Sequence, residues 1–213
     1  MPVSPVIRVI IVDDHPVVRF GLSTIIGLEP DMDVLGQAGS GEEACAMCAA
    51  QPPDVVLMDL RLPGMSGVEA IQRIRQSQPQ VRFIVLTTYD GDEDIHKALD
   101  AGAQAYLLKG MSHSEVTNAI RSVQAGLRCI PESVSRKLAE RPPQSELSPR
   151  ELEVLELIAK GLSNREIGAS LGITEATVKW HVNIILSRLN VADRTEAIVA
   201  ALQRGIMHLP GAS

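Results

Sequence analysis

Short apolar runs alternate with amphipathic stretches through the first 130 residues, and this alternation limits the possible folds more than any other feature of the chain. The apolar runs are too short for typical helices and suit strands buried on both faces; they lie at residues 7–12, 34–38, 55–58, 83–86 and 105–108. The segments between and after them have helical periodicity, at residues 17–28, 42–51, 67–78, 92–101 and 114–125. The strict alternation predicts an α/β fold with a doubly wound, five-stranded parallel sheet.

Polar side chains stand at the carboxyl ends of the predicted strands. Asp13 and Asp14 follow the first strand, and the third, fourth and fifth strands end at Asp59, Thr87 and Lys109. In a doubly wound sheet these strand ends meet at one edge, so the five residues should share one pocket.

The chemistry of this residue set favours phosphoryl transfer. Three carboxylates raise one another's pKa unless a cation joins them, and hard oxygen ligands favour Mg²⁺ over zinc. An ammonium group and a hydroxyl opposite the carboxylates are suited to hold the oxygens of an anion. A metal ion, a carboxylate nucleophile, a lysine and a hydroxyl are what phosphoryl transfer to an aspartate requires. Each residue alone has a simpler explanation, a helix cap or a solvated lysine, but the five together favour a functional site.

The pocket residues, with the run DLRLPGMSG at residues 59–67, resemble those of a bacterial response-regulator receiver domain. The resemblance covers about residues 5–127 and implies that Asp59 is the phosphoacceptor. It also implies four ligands for Mg²⁺: Asp13, Asp14, Asp59 and the backbone carbonyl of Arg61.

The same resemblance implies a switch. Thr87 and Tyr106 match the switch pair of the family, and Lys109 would contact the phosphoryl group. A phosphoryl group on Asp59 adds negative charge and acceptor oxygens, which would draw the Thr87 hydroxyl toward them. The ring of Tyr106 would then turn inward and alter the surface formed by the fourth helix, the fifth strand and the fifth helix. Alternatively, Tyr106 is a plain core aromatic with its hydroxyl at the surface. Many receivers carry a proline after the lysine, where this chain has Gly110.

The sequence changes character after residue 130. Residues 131–146 contain Pro142 and Pro143 between polar residues, which is typical of a linker. Every later pattern is helical, and four good capping residues precede the predicted helices: Ser148, Ser163, Thr174 and Asp193. We therefore expect a first domain at residues 1–130, a linker at 131–146 and a small all-α domain at 147–213. A short capped helix, a turn and a longer helix predict a helix-turn-helix, whose second helix enters the major groove of DNA.

Residues 147–207 resemble the LuxR-type helix-turn-helix of the NarL/FixJ subfamily of response regulators. The runs LSPRELEVL, SNREI and TVK carry this resemblance. It implies five contacts with bases or phosphates: Arg165, Thr177, Lys179, Trp180 and Asn183. It also implies that the last helix supports dimerisation on two-fold half-sites, with core packing as the alternative.

Two positions depart from the LuxR-type pattern. A smaller residue is common in place of Trp180, and asparagine often stands in place of Ile184. An alternative role for Trp180 is packing against the first domain in an inactive form. The adjacent His181 is equally suited to a phosphate contact and to helix packing.

Composition narrows the function classes. The chain carries 12 Lys or Arg and 18 Asp or Glu up to Glu140, and 8 of each kind after it, so the whole net charge of −6 precedes the second domain. Five aromatic residues are too few for reading single strands by stacking. Three cysteines predict a reducing compartment, and no apolar run approaches the roughly 20 residues of a membrane span. We expect a cytoplasmic protein with no membrane partner.

Two short motifs carry no function in this interpretation. Cys45 and Cys48 have thioredoxin spacing but lie inside an alanine-rich helix, which favours core packing. Gly39, Ser40 and Gly41 lack the spacing of a phosphate-binding loop and are expected to cap the second helix.

The predicted function is a DNA-binding transcriptional response regulator that is activated by phosphoryl transfer to Asp59 and is not an enzyme. Its predicted partners are a sensor histidine kinase, a double-stranded DNA operator and a second copy of the chain. One rival is a phosphatase with an aspartyl nucleophile, but such enzymes often carry a second carboxylate where this chain has Arg61. The other rival is a phosphorylation-independent DNA-binding protein with a vestigial receiver, against which the complete pocket argues.

Overall fold

The computed structural model describes residues 6–88, 91–132, 134–136 and 146–208. These residues form two compact units, one built around a sheet and one entirely helical. Much of the predicted linker, including Pro142 and Pro143, lies outside the described residues.

The first unit is a five-stranded, all-parallel sheet with helices on both faces. Its strands are β1 Ile7–Val12, β2 Met32–Ala38, β3 Val55–Met58, β4 Arg82–Thr87 and β5 Ala105–Leu108. Its helices are α1 Pro16–Gly27, α2 Gly41–Ala50, α3 Gly67–Ser77, α4 Asp92–Ala101 and α5 His113–Gln124. The strand order is β2-β1-β3-β4-β5, with the reversal beside β1 that a doubly wound sheet has. The predicted α/β class and topology are confirmed.

Each face of the sheet buries its own apolar layer. Along β1, Ile10 and Val12 pack with α2, α3 and α4, whereas Val9 and Ile11 pack with α1 and α5. This alternation explains why the central strands read as continuous apolar runs, since both faces are covered.

The open edge of β5 is covered by the chain that follows α5. Cys129 forms a parallel bridge with Ala105. The backbone N–H of Tyr106 donates to the carbonyl of Cys129 at 3.1 Å, and the N–H of Cys129 donates to the carbonyl of Gln104 at 3.0 Å.

The second unit consists of four helices: α6 Pro149–Ala159, α7 Asn164–Leu171, α8 Glu175–Leu189 and α9 Arg194–Gln203. Each begins after one of the predicted caps, whose side chain accepts a hydrogen bond from a backbone N–H in the first turn: Ser148, Ser163, Thr174 and Asp193. Buried side chains from all four helices form a separate core. The predicted helical second domain is confirmed.

Among the described residues, no helix combines the length and apolar character needed to cross a membrane.

Candidate functional site

Carboxylates and an ammonium group meet at the carboxyl edge of the sheet. The Nζ atom of Lys109 lies 2.7 Å from Oδ2 of Asp13 and 2.6 Å from Oδ2 of Asp59. Both carboxylates are buried, and Asp14 is half-buried beside them. Ligand atoms of Asp13, Asp14, His15 and Asp59 all lie within 4.8 Å of one another. The structure thus brings together the acidic residues and the lysine that the strand ends predict.

Backbone hydrogen bonds that extend the sheet ladder hold these residues in place. The N–H of Asp13 donates to the carbonyl of Ala38 at 3.1 Å, and the N–H of Asp59 donates to the carbonyl of Val12 at 2.9 Å. At the other end of the pocket, the N–H of Lys109 donates to the carbonyl of Thr87 at 2.7 Å. The side chains therefore start from fixed points on β1, β3, β4 and β5.

The loop after Asp59 depends on a close backbone approach. A Cβ atom at Gly67 would lie 2.0 Å from the carbonyl oxygen of Asp59, and the N–H of Gly67 donates to the carbonyl of Leu60 at 2.9 Å. The N–H of Arg61 donates to Oδ1 of Asp59 at 3.3 Å. Only glycine fits at residue 67 without moving the backbone of Asp59.

Burial and charge oppose each other in the pocket. Burial raises the pKa of Asp59 and the neighbouring Asp13 adds to this, so that the pKa stays above its usual range although Lys109 acts against it. Burial lowers the pKa of Lys109, but the hydrogen bonds to Asp13 and Asp59 outweigh it and the pKa is raised. The ammonium group therefore partly neutralises two carboxylates that are withdrawn from water.

The acidic cluster offers the carboxylate oxygens that a hard divalent cation prefers as ligands. The Oδ1 atom of Asp14 is buried and accepts no hydrogen bond from the described residues, although Nδ1 of His15 lies 2.7 Å away. Such an oxygen is suited to a metal ligand. Sequence reasoning missed His15, whose only signal is that it directly follows the aspartate pair; its N–H donates to Oδ1 of Asp13 at 2.9 Å.

Thr87 and Tyr106 are both fully buried. Thr87 is the last residue of β4, and Tyr106 lies on β5 with 0% of its surface exposed, in the core layer shared with Phe83 and Ile95. The alternative with the Tyr106 hydroxyl at the surface is therefore wrong for this structure. Gly110, the departure after the lysine, has φ 102°, a conformation that proline cannot adopt.

The second unit places the predicted DNA contacts on its surface. Lys179, Trp180 and Asn183 are exposed on α8, on the side opposite the buried Val178 and Ile185. Arg165 is exposed in the first turn of α7. Thr177 is half-buried, and its N–H donates to Oγ1 of Thr174 at 3.1 Å.

The turn between α7 and α8 is tightly closed. A Cβ atom at Gly168 would lie 2.7 Å from the carbonyl oxygen of Ile173, whose N–H donates to the carbonyl of Gly168 at 3.0 Å. Gly172 ends α7 in the left-handed conformation, with φ 67°. These contacts fix the direction in which α8 leaves the turn.

One side of the last helix, α9, packs in the core and the other side lies at the surface. Ala197 and Ala201 are buried, whereas Val199 is 49% exposed. Core packing thus accounts for one side of α9 and leaves an apolar residue on the other.

Comparison with known proteins finds similarity over both units. Residues 9–121 match the response regulator receiver domain, and residues 145–201 match the bacterial regulatory proteins of the luxR family. The chain is 40% identical over 206 residues to the response regulator protein VraR of Staphylococcus aureus, with 94% of this chain and 99% of VraR covered.

Solved structures agree with this similarity. The response regulator ChrA of a heme-sensing two-component system is 38% identical, with a TM-score of 0.57 over 95% of this chain and 99% of ChrA. A structure of two RcsB dimers bound to two parallel DNAs is 28% identical, with a TM-score of 0.67 over 93% of this chain and 98% of the RcsB chain.

Proposed function

The chain belongs to the two-component response regulators with a LuxR-type DNA-binding domain, and on this premise we propose that phosphorylation of Asp59 controls its binding to DNA. The observation that carries the proposal is the buried carboxylate of Asp59, 2.6 Å from an ammonium group and beside two further carboxylates. The proposed division is a receiver at residues 1–130, a linker at 131–146 and a DNA-binding domain at 147–213, and the two matched ranges support it.

The pocket residues have distinct roles in the proposed reaction. A carboxylate oxygen of Asp59 bonds to the phosphorus atom of the kinase phosphohistidine, while the phosphorus–nitrogen bond breaks and its electron pair stays on the imidazole. The Nζ group of Lys109, freed from Asp59, then holds a phosphoryl oxygen. Asp13 keeps Lys109 in position through the 2.7 Å contact. Beyond this transfer, we propose no reaction on a separate substrate.

Receiver domains generally bind Mg²⁺ at an acidic pocket of this kind. We propose that Asp13, Asp14, Asp59 and the carbonyl of Arg61 hold it here. When bound, Mg²⁺ offsets the negative charge that the carboxylates and the phosphoryl oxygens share.

Thr87 and Tyr106 are the proposed switch. Because the Tyr106 ring is already buried, the expected inward turn is not needed. We propose instead that a bond between the Thr87 hydroxyl and a phosphoryl oxygen stabilises the inward ring and thereby selects one arrangement of the adjoining surface.

The proposed DNA contacts are those of α8 and the start of α7: Arg165, Thr177, Lys179, Trp180 and Asn183. The exposure of Arg165, Lys179, Trp180 and Asn183 and the closed turn before α8 support this assignment. Two copies would bind two half-sites, as the RcsB dimers on DNA suggest, and Val199 offers α9 an apolar contact for a partner copy. We also propose a cytoplasmic location and a sensor histidine kinase as the phosphoryl source.

Replacement of the phosphoacceptor tests the proposal. The full chain is incubated with Mg²⁺ and labelled acetyl phosphate, and bound label is compared for the wild type, Asp59→Asn and Asp33→Asn. The last variant makes the same change at an exposed position on β2. We expect label on the wild type and on Asp33→Asn and none on Asp59→Asn. Equal labelling of all three would refute Asp59 as the phosphoacceptor.

A further inference from the structure

Trp180 lies at the centre of the outward side of α8. It is the only tryptophan of the chain, and 59% of its surface is exposed. At about 100° per residue, it stands about 140° to 200° around the helix axis from the buried Val178, Ile185 and Leu189. Core packing therefore does not explain a large apolar ring at this position.

The indole ring is braced by the next residue. The ring centroids of Trp180 and His181 are 4.8 Å apart at an interplanar angle of 69°, an edge-to-face contact. Such a contact favours this orientation of the indole.

The side chains around Trp180 complete a polar rim. Lys179 and Asn183 are exposed along one side of the indole, and Ser187 is exposed two turns further along the helix. The exposed side of α8 thus carries polar groups suited to phosphates and base edges, with one large apolar ring among them.

The major groove of duplex DNA offers such a surface a single apolar partner. Stacked bases present only their edges there, and the C5-methyl of thymine is the apolar group on those edges. Stacking of the indole on a base face would require an unpaired, splayed-out base.

We propose that Trp180 reads one thymine in each half-site through contact of the indole with its C5-methyl. This inference rests on the proposed function of α8 and adds the base that it selects. A 5-methylcytosine presents the same methyl group at the same place, so the two sources must be separated experimentally.

Methyl deletion in the DNA tests the proposal. Binding duplexes are selected from random sequences with the full chain phosphorylated by acetyl phosphate, and each thymine of the selected site is replaced in turn by deoxyuridine. We expect replacement of one thymine per half-site to weaken binding about fourfold, which corresponds to the free energy of burying one methyl group. We expect Trp180→Ala to bind thymine and deoxyuridine sites equally, whereas Ser170→Ala, an exposed truncation on α7, keeps the fourfold ratio.

Two further arms complete the test. At the sensitive position, a C·G pair and a 5-methylcytosine·G pair are compared, and we expect about fourfold tighter binding with the methyl group. Equal binding in this arm would show that thymine is read by its other groups and would overturn the proposal. The fluorescence of Trp180 should also shift more on binding the thymine duplex than the deoxyuridine duplex.

Two results for the main arm would also overturn the inference. One is a wild-type chain that binds specifically but is insensitive to deoxyuridine at every position. The other is a sensitivity that persists in Trp180→Ala whose circular dichroism matches the wild type. A wild-type chain with no specific binding to any duplex would instead refute the proposed function.

Discussion

Asp59 keeps its position because Gly67 has no side chain. A Cβ atom at Gly67 would meet the carbonyl oxygen of Asp59 at 2.0 Å, a clash with backbone that no rotamer relieves. We expect Gly67→Ala to slow labelling by acetyl phosphate and to lower the free energy of unfolding by about 1–3 kcal/mol. Urea denaturation and the labelling rate measure the two effects.

The matched control is Gly21→Ala, because a Cβ atom there meets nothing within 4 Å and the residue lies inside α1. That change should leave labelling unaltered and stabilise the helix by up to about 1 kcal/mol. Equal labelling rates for the wild type and Gly67→Ala would contradict the positioning role of Gly67.

Burial makes Cys48 a poor nucleophile. The side chain is buried in the apolar layer that contains Ile10 and Val12, and burial raises the pKa of its thiol to about 12. At pH 8 roughly one thiol in 10⁴ is then ionised. We expect Cys48 to stay unmodified in native protein treated with a thiol reagent at pH 8 and to react in urea, as mass spectrometry of the peptides would show. Rapid native modification of Cys48 would contradict the core assignment.

At the scale of elements, the turn between α7 and α8 depends on a glycine at a close backbone approach. A Cβ atom at Gly168 would lie 2.7 Å from the carbonyl oxygen of Ile173. We expect Gly168→Ala to push the two helices apart, to lower the free energy of unfolding by about 1–3 kcal/mol and to weaken DNA binding. Ser170→Ala, exposed on the same helix, should change stability by less than about 0.5 kcal/mol. A Gly168→Ala variant that melts and binds like the wild type would exclude the close approach.

The sequence predicted the helices and strands well where burial patterns and capping residues determine them. Strands β1, β3, β4 and β5 consist mostly of buried apolar residues, and the helix caps of the second unit are local hydrogen bonds. Strand β2 begins at Met32, earlier than predicted, because it is an edge strand with exposed polar residues and has no continuous apolar run at its start.

Close backbone contacts within a loop or turn were beyond prediction. The approach of Gly67 to Asp59 and that of Gly168 to Ile173 depend on the exact conformation of the segment between them, and a glycine in the sequence does not indicate which backbone atom it will contact. The same holds for His15, which enters the acidic pocket only because β1 and β3 end side by side. The burial of Tyr106 likewise depends on packing with other elements, which include Phe83 of β4 and Ile95 of α4.

At the scale of the molecule, we expect the fragment from Leu147 onward to bind the operator without phosphorylation, and more tightly than the unphosphorylated full chain. The helical unit has its own core and should fold alone. The net charge of −6 lies before it, and an acidic domain held near Lys179 and Trp180 would keep DNA away. If phosphorylation releases the helical unit from the acidic domain, the affinity of the full chain for the operator should rise by about 5–150-fold.

Binding of the fragment, the unphosphorylated chain and the phosphorylated chain is compared at one salt concentration. A fragment that binds far more weakly than the unphosphorylated chain would show that the first domain helps binding, by bringing two recognition helices together, rather than preventing it.

The hydrogen bonds between Cys129 and the fifth strand limit how copies of this molecule can associate. An open strand edge is a template on which another chain can extend the sheet, and this is a common route to aggregation. Here the polypeptide occupies part of that edge with its own backbone, at Gln104, Ala105 and Tyr106. A second copy could add a strand there only after this segment had been displaced. Reversible association of copies on this side must therefore use contacts between side chains.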